Sequence, residues 1–332
     1  MNKSLNKPLG LAGCFLLLLV LAFASMAYGS AQIDLRTVYQ AFTAFDGSTE
    51  HLIIRSTRLP RMLVAATVGA ALAVSGAVMQ TVTRNPLASP SIFGVNAGAA
   101  LFIVFAVMFL GFTTLTEYAG AAFAGAAVAG AAAYALGSAG AGGASPLKMT
   151  LAGAAVTAFA SSVTQGIMLV NGRAFDQVLF WLVGSVAGRE MPMLLPVLPF
   201  MALGGIVCAL LARPLNTLAL GEDTARGLGQ RVGLVKLASA AAVVLLAGSS
   251  VAVAGPIAFV GIIVPHIARV IAGHDHRWLL PYCALLGASL LLAADIGARF
   301  IAMPDELPVG VVTALVGVPF FVWAARRGTY AK

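Results

Sequence analysis

The chain has 332 residues, of which 60% are hydrophobic and only 10% are charged, and its formal net charge is +8. A soluble domain is about 45–50% apolar and about 25% charged, so this chain has too few charges to cover a water-soluble globule. It is also too apolar to be disordered. The composition therefore predicts a polytopic membrane protein.

Runs of about 20 apolar residues, the length that crosses a bilayer as a helix, occur ten times. The first, 9–29, follows basic residues and ends in small ones, as a secretory signal does. Its apolar stretch exceeds the roughly 7–15 residues of a signal, so we expect a retained helix, with a cleaved signal as the alternative. The other spans are 61–83, 92–111, 115–137, 147–170, 193–212, 232–254, 256–273, 278–298 and 308–325. Only Gly255-Pro256 interrupts the apolar run between the seventh and eighth of them.

The lysines and arginines between the spans predict the orientation, because cytoplasmic loops carry an excess of them. With the N-terminus in the cytoplasm, ten spans return the C-terminus to the cytoplasm, and 13 of the 20 basic residues lie on that side. Nine of the 12 acidic residues lie on the other side. We therefore expect both termini in the cytoplasm. No aromatic residues are interleaved with the basic ones, so no nucleic acid partner is expected.

An internal repeat is visible at an offset of 179 residues. Residues 69–76 align with 248–255, and Pro86 then falls on Pro265. Five spans separate the two copies, so the copies would cross the membrane in opposite directions. Inverted repeats are typical of transporters. We expect one transmembrane domain, 1–332, with halves of roughly 1–180 and 181–332.

The sequence contains little that suggests chemistry. No lysine lies in a P-loop motif, and Cys14, Cys208 and Cys283 lie in apolar runs, as buried core residues do. We predict no catalytic residue, no metal site and no cofactor, so the energy for transport would come from a partner. Asp295 and Arg299 are the nearest candidates for an intramembrane coupling site. We interpret them as an ion pair of residues four apart.

Three loops stand out. The outer loop, about 30–60, ends with Arg55, Arg58 and Arg61, which would suit an acidic partner or lipid headgroups. The inner turn around Asn85-Pro86-Leu87 would line a cavity or be a plain turn. The inner loop 214–236 is amphipathic, and its acidic residues 222 and 223 suit the start of a short helix that Gly227 or Gly229 can end. A protein partner is favoured for this loop over interfacial lipid.

Several motifs together resemble the FecCD-type permeases of ABC importers for iron–siderophore complexes, haem and cobalamin. The resemblance covers nearly the whole chain and is closest to the ferric-citrate branch. The motifs that carry it are Arg58–Arg61, Asn85–Pro90, Gly255–Gly261, Val264–Arg269, Asp295 and Glu306–Gly310.

This resemblance implies an all-α, ten-helix permease subunit in the cell inner membrane. A second permease subunit would complete a homo- or heterodimer, and membrane lipid would surround the pair. Two cytoplasmic ATP-binding subunits and a periplasmic substrate-binding protein would bind to this dimer. The permease itself would not be an enzyme. The cargo would be ferric citrate or a ferric siderophore, with cobalamin or haem as the alternative. A secondary transporter without an ATPase is the alternative from a different class.

The resemblance also assigns roles to three sets of residues. Docking of the binding protein falls to Arg58, Arg61 and Arg299. The cytoplasmic gate falls to Asn85, Pro86 and Leu87. Coupling to the ATPase, within a loop at 214–236, falls to Leu218, Gly221, Glu222, Asp223, Arg226, Gly227 and Gly229.

Overall fold

The computed structural model describes residues 6–29, 33–140, 145–170, 178–179, 181–301 and 305–329. These residues form helices and no strands. The helices of the first part are α1 (Asn6–Ala27), α2 (Leu35–Thr43), α3 (Thr49–Ile53), α4 (Leu59–Val82), α5 (Val95–Phe105), α6 (Leu115–Ser138) and α7 (Pro146–Val170). A π-helical turn, Ile54–Arg58, joins α3 to α4, and a second, Ala106–Leu110, extends α5.

The second part of the chain begins with the single turn α8. Its helices are α8 (Met191–Leu194), α9 (Leu198–Leu210), α10 (Ala212–Ala219), α11 (Glu222–Gly227), α12 (Val232–Ala254), α13 (Val260–Ala272), α14 (His276–Ile301) and α15 (Val309–Thr329). The axes of α9 and α10 differ by 54° across a short break. The sixth predicted span, 193–212, therefore contains α9 and ends where the chain bends into α10.

Each of the ten predicted spans contains a helix in the described part of the chain. Among the residues that the structure describes, six helices are long and apolar enough to cross a membrane, and the bent pair would be a seventh. Three further apolar helices are shorter: Val95–Leu110, Val260–Ala272 and Val309–Ala324. The described residues are thus all-helical, as predicted, with several helices that could span a membrane, and the exact number of crossings stays a prediction.

Helices α4 and α12 form the centre of the bundle, and most of their residues are buried. They pack against each other, and α4 also packs on α13 and α14. Glycines allow this close approach: Gly69 faces the backbone of Gly287, and Gly76 faces the backbone of Gly261. Small residues let helices meet where lipid provides no hydrophobic drive between them. The two copies of the predicted repeat lie in α4 and at the end of α12.

The break between α12 and α13 is built from backbone conformations that few residues adopt. Gly255 has φ of 72°, and Phe259, just before α13, has φ of 68°. A positive φ is strained for a bulky residue. The Phe259 ring packs directly on Gly317 of α15, which holds this conformation in place. The interruption that Gly255-Pro256 predicted in the sequence is therefore real, and it shortens the eighth predicted span.

Polar contacts gather at the two ends of the bundle. We call the end with the C-terminus of α1 and the N-terminus of α4 the outer end, following the predicted orientation, and the opposite end the inner end. At each end, the contacts described below join residues that the sequence assigns to the same side of the membrane. This agreement supports the predicted alternation of the spans.

Helix α1 is part of the bundle at both of its ends. At the inner end the Tyr282 hydroxyl of α14 donates to the Lys7 carbonyl at 2.7 Å. At the outer end the Arg299 guanidinium of α14 donates to the Ser25 and Tyr28 carbonyls at 2.8 and 2.7 Å. These contacts join both ends of α1 to α14, and the retention of α1 stays a prediction.

Candidate functional site

The outer end carries a group of buried charges, which we call the outer arginine cluster: Arg58, Arg61, Asp295, Arg299 and Glu306. The three arginines are 4–8% exposed and Asp295 is 1% exposed, while Glu306 keeps contact with solvent. Three positive charges therefore share two negative ones in a small volume. Burying charge in this way is costly unless each charge is paired.

Asp295 sits between two arginines. Arg61 Nε lies 3.0 Å from each carboxylate oxygen of Asp295, and Arg61 Nη2 lies 2.8 Å from Oδ1. Arg61 Nη1 also donates to Glu306 Oε2 at 2.6 Å. The Arg299 guanidinium donates to the other side of Asp295. These contacts tie α4, α14 and the segment before α15 together, and the bidentate geometry is the strong form of this pair.

The remaining contacts of the cluster complete the end of α1. Arg58 Nη1 donates to the Met26 and Ala27 carbonyls, each at 2.7 Å. Arg299 supplies donors to the carbonyls on either side of these two. The last carbonyls of a helix have no partner within the helix, and a positive charge is favourable there. Two arginines thus cap α1.

The structure adds internal partners to all three arginines that were assigned to docking. The sequence placed Arg58, Arg61 and Arg299 on the same side of the membrane, and the structure brings them together there. It also shows that their guanidinium groups are buried and donate to oxygens of the same chain, which the sequence analysis did not expect. Docking of a binding protein through these arginines stays a prediction, and it would require them to share or leave their present partners.

The predicted gate residues lie in a turn at the inner end, directly after α4. Asn85 and Pro86 are exposed, and Leu87 is half-buried. The Asn85 side chain accepts from the Leu87 amide at 3.0 Å, and the Asn85 amide donates to the Gln80 carbonyl at 3.2 Å. The turn is therefore shaped by its own asparagine and attached to the last turns of α4.

The predicted coupling residues lie on α10, α11 and the turns beside them. Helix α11 begins with Glu222 and Asp223, as the sequence predicts, and it is followed by Gly229 with φ of 80°. Gly227 is the last residue of the helix, so Gly229 provides the left-handed turn. Leu218 is buried, whereas Asp223, Arg226, Gly227 and Gly229 are exposed and Gly221 and Glu222 are intermediate.

An ion pair fastens α11 to the bundle. Glu222 pairs with Lys236 of α12, whose side chain is only 5% exposed. The Gln230 side chain donates to the Pro214 carbonyl at 2.9 Å, which joins the two ends of the coupling segment. Because of these contacts, α10 and α11 form one braced unit with an exposed face.

The inner end also holds polar side chains that the sequence analysis did not assign to a site. Arg269 donates to Gln80 Oε1 at 2.6 Å, and Gln80 Nε2 donates to the Gly261 carbonyl at 3.1 Å. His276 contacts Thr81 on one side and Asn216 on the other. Polar residues at the ends of apolar spans were the available signal, but nothing in the sequence shows which of them meet.

Hydrogen bonds keep Asp275 ionised beside this group. Its carboxyl accepts from Arg277 and from Asn216, and these bonds hold the pKa of Asp275 below its usual range.

Within the described residues, no three His, Cys, Asp or Glu side chains are placed to hold a metal ion. A groove of about 490 Å³ lies between α5, α6 and α7 and is lined by apolar residues. These side chains offer no polar or charged group that would recognise a specific ligand.

A known protein family and several individual proteins are similar to this chain over most of its length. The FecCD transport family matches residues 17–327. The chain is 52% identical over 327 residues to the protein named Probable siderophore transport system permease protein YfiZ of Bacillus subtilis (strain 168), covering 98% of each chain. It is 43% identical to the Fe(3+)-citrate import system permease protein YfmD of the same organism, covering 93% of this chain and 91% of that one.

A solved structure is also similar over almost the whole chain. It is described as an inward-facing conformation of a transporter of the metal-chelate ABC type. The TM-score is 0.83 at 30% identity, and the match covers 96% of this chain and 99% of the solved one. The arrangement of helices described above is therefore one that an experimental structure also has.

Proposed function

This chain belongs to the FecCD transport family, and from that membership we propose that it is the permease subunit of a binding-protein-dependent ABC importer for a ferric chelate. The printed names of its relatives point to a siderophore and to ferric citrate, and these two classes are the proposed cargo. The chain would be the membrane pathway and would rely on partner subunits for ATP hydrolysis.

The structural observation that supports an ATPase partner is the exposed surface of α11 and the turns beside it. Leu220 and Leu228, which flank α11, are 69% and 68% exposed. Between them lie the exposed charges of Asp223 and Arg226. Large apolar side chains rimmed by charges mark a protein-binding site. We assign this surface to an ATP-binding subunit, because it stands at the predicted cytoplasmic end of a braced pair of helices.

The rest of the assembly follows from the same proposal. A second permease subunit would complete the membrane pathway, two ATP-binding subunits would bind at the inner end, and a periplasmic binding protein would dock at the outer end. The outer arginine cluster offers an excess of positive charge there, which would steer an acidic surface toward the permease. The location would be the cell inner membrane, with both termini in the cytoplasm.

The proposal is tested by reconstitution. The permease is co-expressed with a candidate ATPase, second permease and binding protein from the same organism, and purified into liposomes that carry ATP inside. We expect uptake of radioactive iron supplied as its citrate or siderophore complex, dependent on ATP and on the binding protein, with cobalamin as the competing cargo. Uptake driven by an ion gradient without an ATPase would establish a secondary transporter instead.

Reversing both exposed charges of α11 should separate the ATPase from the permease. In the double variant Asp223→Arg, Arg226→Glu the helix keeps the Glu222–Lys236 pair that fastens it to α12. Besides the reversed pair it loses only the contact of the exposed Arg226 with Glu222 at 3.7 Å, so the fold should survive. We expect co-purification of the ATPase and ATP-driven uptake to fall together, because like charges then meet across the interface. Glu50→Arg, an exposed reversal at the outer end, is the control and should leave ATPase co-purification unchanged. Equal recovery of ATPase with both variants would contradict the assignment.

The gate turn gives a second prediction. Replacing Asn85 and Leu87 together by alanine removes the side chain that shapes the turn and the half-buried side chain that follows it. We expect ATP-independent leak of the iron chelate from loaded liposomes to rise several-fold. Ser56→Ala, an exposed hydroxyl bonded to its own helix, is the control. A leak equal to that of the control, with normal uptake, would place the gate elsewhere.

A further inference from the structure

We propose that Asn216, His276 and Thr81 form a mechanical link between the coupling helices and the gate turn. This inference rests on the proposed function and goes beyond it, because it names the side chains through which movement of α10 and α11 reaches α4. We call these three residues the inner relay. They come from three helices and are positioning residues, since none of them would touch cargo or nucleotide.

The geometry of the relay is continuous. The Asn216 side-chain oxygen, on α10, lies 2.7 Å from His276 Nδ1 and also accepts from the His276 backbone amide at 2.8 Å. His276 Nε2 lies 2.7 Å from the Thr81 hydroxyl on α4. His276 is the first residue of α14. Three short hydrogen bonds thus cross between helices that are separated by up to 195 residues in sequence.

The orientation of each group is fixed by its neighbours. The Asn216 amide nitrogen donates to Asp275 Oδ1 at 2.7 Å, so its oxygen faces His276. That oxygen requires a hydrogen on Nδ1, which leaves Nε2 of the neutral ring to accept from the Thr81 hydroxyl. His276 and Thr81 are 3% and 8% exposed, so little water competes for these bonds. Groups held this way cannot slide past each other without losing buried hydrogen bonds.

One end of the inner relay lies on a coupling helix, and the other end lies beside the gate turn. Asn216 is in the middle of α10, the helix that continues through Gly221 into the exposed α11. Thr81 is in the last turn of α4, next to Gln80, whose carbonyl holds the gate turn through the Asn85 amide. A displacement of α10 would therefore be transmitted through these hydrogen bonds to the C-terminal end of α4, to which the gate turn is bonded.

The chain provides a matched control for this link. Thr67 and Thr81 both lie on α4, and each hydroxyl oxygen lies near a carbonyl of the preceding turn, at 2.8 and 3.0 Å. The single hydroxyl hydrogen of Thr81 goes to His276, so its approach to the Ala77 carbonyl is a contact and not a second donated bond. Only Thr81 among these two also contacts another helix through a hydrogen bond. Replacing either threonine with valine keeps the shape of the side chain and removes the hydroxyl. The two variants therefore differ in the link and share the other effects of the substitution.

The experiment measures iron chelate taken up per ATP hydrolysed in liposomes that contain the complete transporter. For Thr81→Val we expect this ratio to fall about five- to tenfold, the factor that corresponds to one lost buried hydrogen bond, while ATP hydrolysis and assembly are retained. Thr67→Val should behave as the wild type. Thr81→Ser, which keeps the hydroxyl, should restore coupling. Asn216→Ala carries the same expectation as Thr81→Val and replaces it if that variant does not assemble.

A second measurement reports the gate without relying on transport. Leu87→Cys is reacted with a membrane-impermeant thiol reagent from the inner side, with and without ATP. We expect ATP to change the reaction rate in the otherwise unaltered chain and not in combination with Thr81→Val. Normal coupling in Thr81→Val, or an equal loss in Thr67→Val, overturns the relay. If the unaltered transporter takes up no iron chelate with ATP, the proposed function fails instead.

Discussion

The variant Asp295→Ala is expected to be about 3–5 kcal/mol less stable than the wild type. The substitution leaves Arg61 without its bidentate partner and Arg299 without its carboxylate, and both guanidinium groups are almost fully buried. Removing one member of a buried ion pair is costly because water cannot replace the lost carboxylate: Arg61 keeps only Glu306, and Arg299 keeps only neutral oxygens of α1 and Tyr28. Unfolding by sodium dodecyl sulphate in mixed micelles measures this free energy.

Asp223→Ala is the matched control for this measurement. Asp223 is fully exposed and lies 4.0 Å from Arg226, and exposed pairs contribute about 0–1 kcal/mol. The control should therefore stay close to the wild type. If Asp295→Ala were no less stable than Asp223→Ala, the outer arginine cluster would not hold the helices together, and its arginines would be available to a docking partner.

The variant Gly76→Val is expected to separate α4 from α13 and to destabilise the protein by at least about 2 kcal/mol. A Cβ atom on Gly76 would overlap the backbone of Gly261, and backbone cannot turn away as a flexible side chain can. The same movement would strain the hydrogen bond from Gln80 to the Gly261 carbonyl. Unfolding in mixed micelles and the yield of detergent-soluble protein both report the loss.

Gly120→Val on α6 separates this packing effect from the helix propensity of valine. A Cβ atom at Gly120 would meet nothing within 4 Å, so this variant has the same change of residue type without the overlap. It should be as stable as the wild type or slightly more so, because glycine weakens a helix interior. Equal stability of the two variants would contradict the close approach of α4 and α13.

The sequence was informative about features that depend on neighbouring residues. Apolar runs located a helix in each predicted span, and the acidic pair at 222 and 223 located the start of α11. The break at Gly255-Pro256 was also visible, because proline and glycine act on the local backbone. The length of the helix after the break was not, since it depends on the positive φ of Phe259, which is held by a glycine in α15.

Contacts between distant residues were less predictable. The sequence placed Arg61 and Asp295 on the same side of the membrane, but a hydrophobic pattern gives the depth of a residue and not its partner around the bundle. Asp295 and Arg299 were interpreted as a pair within one helix, which the structure confirms. The addition of Arg61, 234 residues away, depends on how α4 packs on α14. The inner relay escaped notice for the same reason.

The cap on α1 has a consequence for the order in which the protein is made. Helix α1 leaves the ribosome before α4 and α14, but the carbonyls at its outer end receive their donors from Arg58 and Arg299. Arg58 is available once α4 has been inserted, whereas Arg299 arrives only with the end of α14, when most of the chain has been synthesised. Until then, part of the end of α1 must be satisfied by water or lipid headgroups. Helix α1 is inserted early, but its outer end is fully capped only after most of the other helices have been made.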